Sequence, residues 1–123
     1  MDTITLDYID VFDDNKQKKL CFSKDLLQEN INISSLFVLR VDGESMQPVI
    51  NHKALVVADL SQKDIINNKI YILYYENRLW VKKAVIKDNK TVFESINDDY
   101  KHLVYDISDV HVVAKVLLTF TKF

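Results

Sequence analysis

Apolar and polar residues alternate along most of this chain, whereas apolar residues seldom recur at the three-to-four-residue spacing of an amphipathic helix. Six segments rich in Val, Ile, Leu, Tyr and Phe are predicted strands: 36–41, 54–58, 69–75, 78–86, 91–95 and 110–120. Only residues 23–30 have the pattern of a helical turn, with Ser23 as the N-cap. The pattern predicts a mostly β fold, a compact antiparallel β domain that is closed or strongly coiled and has one or two short helices.

The short polar breaks between these strands contain Asn and Asp where many chains have glycine. Residues 76–77 and 88–89 are predicted hairpin tips, because Asn and Asp tolerate the left-handed backbone conformation that tight turns need. A further strand is predicted at 7–12, and the polar run 13–19 that follows it is predicted to be a loop.

The composition fits a single globular domain of 123 residues, with 48% hydrophobic and 28% charged residues. Its 16 basic and 18 acidic residues are interspersed, so the chain lacks the basic surface that binding to a DNA backbone requires. The single cysteine, Cys21, an acidic N-terminal segment and the absence of a long apolar run predict a cytoplasmic protein that does not enter a membrane. No metal or other cofactor is predicted.

The sequence VDGESMQPV at 41–49 contains both the only glycine, Gly43, and the only proline, Pro48. It follows a predicted strand, so it should form a turn that leads into a short helix with Ser45 at its start. Ser45 could be an ordinary N-cap residue. Alternatively, Gly43 lets the backbone turn steeply, and Ser45 is an exposed nucleophile with nearby backbone N–H groups that stabilise an oxyanion.

A nucleophilic serine needs a base. The chain has three histidines: His52, His102 and His111. None has a metal-ligand spacing or lies in a pattern that would position it, so they are interpreted as surface or loop residues. Two lysines lie within the apolar segment 78–86, and a lysine buried among apolar groups loses its proton more easily.

The choice between Lys82 and Lys83 stays open at this point, because alternation gives each of them an apolar face. The alternative for both is a lysine whose stem lies on apolar surface and whose head is in water.

Residues 41–50, 54–59 and 81–84 together resemble the C-terminal domain of the LexA and phage-repressor group, the S24-type Ser/Lys peptidases. Residues 93–100 are similar to the Asn-x-x-Tyr segment of that family, and residues 112–116 are similar to its final strand. The resemblance covers the chain from residue 36 onwards, and it implies the coiled β fold of the LexA and signal-peptidase type.

By this resemblance, Ser45 is the nucleophile and Lys82 is the general base, with Lys83 outside the chemistry. The backbone N–H of Ser45, together with that of Glu44, would form the oxyanion site. Residues 43–48, here called the Ser45 turn, would be stiffened by Gly43 and Pro48 at its two ends, and Met46 would pack beneath the nucleophile.

The resemblance also implies a division of the chain into an N-terminal arm, residues 1–34, and a peptidase and dimerisation core, residues 35–123. The arm corresponds to the cleavage-site region of relatives, which cut themselves at an Ala-Gly or Cys-Gly bond. This chain has neither bond, because Gly43 is its only glycine. The helix-turn-helix by which repressors of the family bind operator DNA is not present in the sequence.

Three functional hypotheses follow. The first is the sensor and dimerisation domain of a phage-repressor-like regulator, with a Ser-Lys dyad for self-cleavage stimulated by a RecA filament in the SOS response. The second is a dimerisation module without proteolytic activity, or a stand-alone relative of the UmuD mutagenesis proteins. The third is a signal-peptidase-like enzyme acting on other proteins, which should carry a membrane anchor.

The last predicted strand has apolar residues on both faces, and both faces need cover. The resemblance implies that a second copy supplies this cover in a two-fold homodimer. The predicted interface residues are Val112, Ala114, Val116, Leu118 and Phe120. The alternative is that the N-terminal arm covers the second face.

Overall fold

The computed structural model describes residues 2–123 and contains nine β-strands in that range. They are β1 Thr3–Asp10, β2 Lys16–Ser23, β3 Leu36–Arg40, β4 Leu55–Asp59, β5 Ile70–Tyr75, β6 Arg78–Lys87, β7 Lys90–Glu94, β8 Tyr105–Asp106 and β9 His111–Phe120. The prediction of a mostly β fold is confirmed.

The helical segments are four single turns of 3-10 helix: Lys24–Leu26, Ile33–Ser35, Asp98–Tyr100 and Ile107–Asp109. The helical turn predicted at 23–30 is thus shorter than expected, although Ser23 is its N-cap and accepts a hydrogen bond from the Asp25 N–H. Within residues 2–123, no helix has the length and apolar character needed to cross a membrane.

The strands form two antiparallel sheets. β1 and β2 make a separate hairpin, and the other seven strands form one sheet in the order β3-β4-β9-β5-β6-β7-β8. The hairpin packs on the large sheet through Ile4 and Phe22, which lie in one buried cluster with Leu36, Val38 and Val57. The N-terminal segment is therefore part of the packed structure.

The tight turns use Asn and Asp as predicted. The two central residues of both predicted hairpin tips have positive φ: Glu76 50°, Asn77 63°, Asp88 54° and Asn89 62°. Asp14 and Asn15 form a third such pair at the tip of the β1–β2 hairpin. A turn with two left-handed residues matches the twist of the strands that it joins.

The prediction of a loop at 13–19 is wrong for its second half, because β2 begins at Lys16. This strand pairs with β1 along its whole length. Lys16 lies opposite Asp10 and Lys19 lies opposite Asp7, with which it forms an ion pair at 2.8 Å. One face of the hairpin is open to water, so a strand there can consist largely of charged residues.

The strict alternation assumed for the last strand does not hold, because β9 contains two bulges. Its register shifts once against β5, at Val113, and once against β4, at Leu117. A bulge residue has no partner and moves the residues after it relative to the two faces. Ala114 is consequently buried in the main core and cannot offer its side chain to a second copy.

The remaining four predicted interface residues are half-buried within the chain. The hairpin covers part of the strand, since the Phe22 and Phe120 rings lie 5.8 Å apart. A dimer through β9 stays a prediction.

Candidate active site

The Ser45 turn begins at Gly43, three residues after the end of β3, and Gly43 has a φ of 133°. Residues other than glycine rarely adopt this backbone conformation. A Cβ added at Gly43 would nevertheless meet no atom within 4 Å. The backbone angle, and not lack of space, therefore accounts for the glycine. The Gly43 N–H donates a hydrogen bond to Nδ1 of His52 at 2.9 Å.

His52 was interpreted from the sequence as a surface or loop residue. It is half-buried and fixes the start of the Ser45 turn through this hydrogen bond. Because Nδ1 accepts a hydrogen bond from the Gly43 N–H, this nitrogen is already occupied and is not free to accept a proton from Ser45.

Two buried side chains anchor the turn to the core. Met46 and Ile50 are 2% and 1% exposed, and both pack against Val56, Ala58 and other residues of the large sheet. Ser45 itself is half-buried. The turn is thus held from below, while the serine remains at the surface of a cavity.

The short helix predicted after Ser45 is wrong, because residues 44–50 form consecutive turns. In a helix, the carbonyl groups of Glu44 and Ser45 would accept hydrogen bonds from residues 48 and 49. Pro48 has no N–H, and both carbonyls accept hydrogen bonds from Asn97, while Glu44 O also accepts one from the Gln47 N–H at 3.2 Å. Nδ2 of Asn97 donates to Glu44 O at 2.8 Å, and its backbone N–H donates to Ser45 O at 2.9 Å.

Lys82 lies in the middle of β6 and is fully buried. Its Nζ donates a hydrogen bond to Ser95 Oγ at 2.8 Å and lies 5.6 Å from the Trp80 ring centroid. Burial disfavours the ammonium form and lowers the pKa of Lys82 to about 8. Lys83 is only half-buried, so the structure distinguishes the two lysines that alternation could not separate.

A cavity of about 470 Å³ lies between the Ser45 turn and the first half of β6. Its lining includes Ser45, Arg78–Val81 and, from the hairpin, Val11. Lys82 is next to this lining and not part of it. β6 pairs with β7 only from Lys83 onwards, so in the described sheet residues 78–82 have a strand partner on one side only.

The hairpin tip is fixed beside this cavity. The Asp10 carboxylate is 3% exposed and accepts hydrogen bonds from Lys18 Nζ at 2.8 Å and from the Phe12 N–H at 3.0 Å. The bond from Lys18 lowers the pKa of Asp10 most strongly among the favourable contacts. The Phe12 ring meets the His52 ring edge-on at 5.3 Å. These contacts place Val11 at the cavity.

Ser45 and Lys82 stay predicted site residues, whereas the contacts that Ser95, Asn97 and His52 make around them were not predicted from the sequence. A signal for Asn97 was present, because it lies in the Asn-x-x-Tyr segment of the resemblance. No such signal was present for Ser95, which was only the last residue of the predicted strand 91–95. Among residues 2–123, no three His, Cys, Asp or Glu side chains are grouped so as to hold a metal ion.

The mostly β fold, the turn that carries Ser45 and the buried Lys82 are the features expected of the S24-type domain that the sequence resembles. The sequence matches the Peptidase S24-like family model over residues 4–117, so the chain belongs to this family.

Two curated relatives point in the same direction. The chain is 31% identical over 108 residues to a repressor protein CI of Enterobacteria phage phi80. This match covers 85% of this chain and 46% of that protein. It is 29% identical over 85 residues to an uncharacterized HTH-type transcriptional regulator of Haemophilus influenzae, which covers 62% of this chain and 36% of that protein. The chain spans less than half the length of these relatives. The resemblance to repressor-type S24 domains is confirmed.

Proposed function

We propose that this chain is the C-terminal sensor and dimerisation domain of a phage-repressor-like transcriptional regulator, with Ser45 and Lys82 as a Ser-Lys dyad for self-cleavage. The observation that carries the proposal is the fully buried Lys82, whose pKa of about 8 leaves part of the amine neutral in mildly alkaline solution. The names of the two relatives support the regulatory part of the proposal.

In this mechanism, the neutral amine of Lys82 accepts the proton of the Ser45 hydroxyl while Oγ attacks the carbonyl carbon of a peptide bond. Backbone N–H groups of Glu44 and Ser45 stabilise the negative oxygen of the tetrahedral intermediate. The Lys82 ammonium then protonates the departing amine and leaves an acyl-serine. Water hydrolyses that ester with Lys82 again as the base.

The Lys82 amine donates a hydrogen bond to Ser95 Oγ in this structure. Nζ must therefore reorient towards the Ser45 hydroxyl before the first step. Ser95 holds Nζ at the end of the buried stem and limits the positions that it can take. In the proposed mechanism the structure therefore corresponds to a resting arrangement of the dyad.

The substrate peptide would bind in the cavity in an extended conformation. Residues 78–82 have an unpaired strand edge there, and an extended peptide can add to such an edge through backbone hydrogen bonds. Val11 lines this cavity, which supports the hairpin tip as the segment that would be cleaved in cis.

A second candidate is a dimerisation module without proteolysis. Two observations favour it: the chain contains neither the Ala-Gly nor the Cys-Gly bond at which self-cleaving members of the family are cut, and Lys82 donates to Ser95. Under both candidates we propose a homodimer through β9, with a RecA filament as the stimulating partner under the first alone. Light scattering at tens of micromolar chain would test the dimer, and a monomer would contradict it.

Self-cleavage is tested by incubating the purified chain between about pH 6 and pH 10 and following intact mass, since the neutral fraction of the base governs the rate. We expect two fragments whose masses sum to that of the chain plus one water, with a rate that rises through about pH 8, the pKa of Lys82. Ser45→Ala and Lys82→Met should abolish the reaction, and Lys83→Met should retain it. An uncut chain at every pH would favour the dimerisation module.

A further inference from the structure

The three residues that follow β7 contact both halves of the proposed dyad. Ser95 accepts the hydrogen bond of Lys82 Nζ. Two residues later, Asn97 donates two hydrogen bonds to the Ser45 turn, at 2.8 and 2.9 Å. A segment of three residues thus connects the base on β6 with the serine, which lies about fifty positions earlier in the sequence.

Every polar group at the end of the Asn97 side chain has a defined partner. Its Nδ2 donates to Glu44 O, and its Oδ1 accepts from the Asp99 N–H at 3.1 Å. The second contact is ordinary N-capping of the Asp98–Tyr100 turn. N-capping explains the side-chain oxygen but does not require the amide NH2, because Asp and Ser cap equally well.

The contact with Glu44 O has a stereochemical consequence. Glu44 C=O and Ser45 N–H belong to one planar peptide unit, in which the two groups point in opposite directions when the bond is trans. The Glu44 carbonyl accepts hydrogen bonds from Asn97 Nδ2 at 2.8 Å and from the Gln47 N–H at 3.2 Å, and the shorter bond, from Asn97, helps to fix the direction of the Ser45 N–H. That N–H is the donor assigned to the oxyanion in the proposed function.

We propose that Asn97 is a positioning residue that orients the Ser45 peptide unit relative to the Ser95–Lys82 pair. Its effect on reaction rate rests on the proposed function, whereas its effect on the geometry of the Ser45 turn does not. The alternative is a purely structural N-cap. Asn32 offers a matched comparison, because its Oδ1 caps the Ile33–Ser35 turn in the same way, and that turn lies outside the cavity lining.

The test uses the full chain and measures the rate at which a fluorophosphonate labels Ser45, by intact mass, as a function of pH. Asn97→Asp keeps an oxygen for the Asp99 N–H but lacks the donor to Glu44 O. We expect labelling to slow by about tenfold or more, since small displacements at a reacting centre have effects of this size. The pH midpoint should stay unchanged in Asn97→Ser, which caps the turn without adding a charge and leaves the hydrogen bond of Lys82 to Ser95 in place. Asn32→Asp should stay within about twofold of wild type.

Labelling of Asn97→Asp at the wild-type rate would overturn the proposal. If Asn97→Asp does not melt cooperatively, Asn97→Ser is used in its place, because serine also caps the turn without reaching Glu44. If wild type labels no faster than Ser45→Ala, the dyad of the proposed function fails. The positioning role is then decided by amide hydrogen exchange in residues 44–50, which Asn97→Asp must accelerate and Asn32→Asp must not. Equal exchange in the two variants would reject it.

Discussion

Lys18 and Lys82 both lie on strands, but the first is surrounded by carboxylates and the second by apolar groups. Lys18 Nζ is 2.8 Å from Asp10 and 2.9 Å from Asp13, and its hydrogen bond to Asp10 is the main cause of the raised pKa of Lys18. Lys82 is hydrogen-bonded to the uncharged Ser95, and burial lowers its pKa to about 8.

The difference shows what the fold has to supply in order to turn a lysine into a base. Lys18 is 37% exposed and pairs with acids, so it stays a cation that ties the hairpin together. Lys82 is fully buried, and its hydrogen-bond partner Ser95 accepts from it without adding charge. The predictions below alter one of these environments at a time.

The largest effect is expected from giving Lys82 a carboxylate. Ser95→Asp places an anion where the hydroxyl accepts the Lys82 hydrogen bond, which should raise the pKa of Lys82 by about two units. The neutral fraction of the amine near neutral pH then falls by about a hundredfold. The measurement is the pH dependence of the Lys82 side-chain carbon signal by NMR, assigned with Lys82→Met.

Ser95→Asn is the matched control, because asparagine has the same size as aspartate and adds no charge. Its Lys82 pKa should remain near or below that of wild type. A pKa that does not rise in Ser95→Asp would show that Ser95 does not control the charge of Lys82.

The next effect is on stability. In the folded chain the pKa of Lys82 is lowered from 10.5 to about 8, so below pH 8 the folded state carries the full penalty of a buried ammonium. Above 10.5 the amine is neutral in both states, and the penalty vanishes. Lys82→Met should therefore increase the free energy of unfolding at neutral pH by about 2 kcal/mol, a value reduced from the full shift because water in the neighbouring cavity screens the charge.

Urea unfolding of Lys82→Met and wild type at several pH values measures this gain. The gain should shrink as the pH rises from 8 to 10.5. Lys83→Met, with a half-buried neighbouring lysine, should show no such pH dependence. A gain for Lys82→Met that is the same at every pH would mean that packing, and not the charge, is responsible.

Most of the fold could be predicted because alternation is a local property. Strands β3 to β7 were placed to within a residue or two, and the turns at 76–77 and 88–89 were identified from residue type alone. The bulges of β9 were not predictable, because both alternating sets in that strand are apolar and a shift of register leaves no trace in the pattern.

The site could be predicted only in part, for a related reason. The choice of Lys82 over Lys83 depends on which face of β6 is buried. Lys82 is on the face where its Nζ lies near the Trp80 and Tyr105 rings, and neither face is polar enough to reveal this in the sequence. The contact of Asn97 with Glu44 joins residues 53 positions apart, so no local pattern contains it.

A smaller effect is expected on the Lys18 side of the comparison. The pKa of Asp10 is lowered from 3.8, first by the Lys18 hydrogen bond. The ion pair therefore stabilises the fold above pH 3.8, and this contribution is lost as pH falls through the lower folded-state pKa. Asp10→Asn should melt a few degrees below wild type at neutral pH, and the difference should close in acid.

Thermal melts followed by circular dichroism between neutral and strongly acidic pH measure this difference. Asp7→Asn is the matched control on the same strand, because the Asp7 carboxylate is 53% exposed. It should change the melting temperature little at any pH. A difference for Asp10→Asn that persists in acid would show that the lost shape of the hairpin tip, and not the charge of Asp10, destabilises the variant.

The smallest effect is expected at Lys19, next to Lys18 on β2. Its Nζ is also 2.8 Å from a carboxylate, that of Asp7, but the two side chains are 69% and 53% exposed. Water and salt screen such a pair, so Lys19→Ala should lower the free energy of unfolding by less than about 1 kcal/mol. Urea unfolding at low and high salt measures it, and the loss should diminish in high salt. A loss as large as that of Lys18→Ala would mean that the distance between the charges, and not their exposure to water, sets the strength of these pairs.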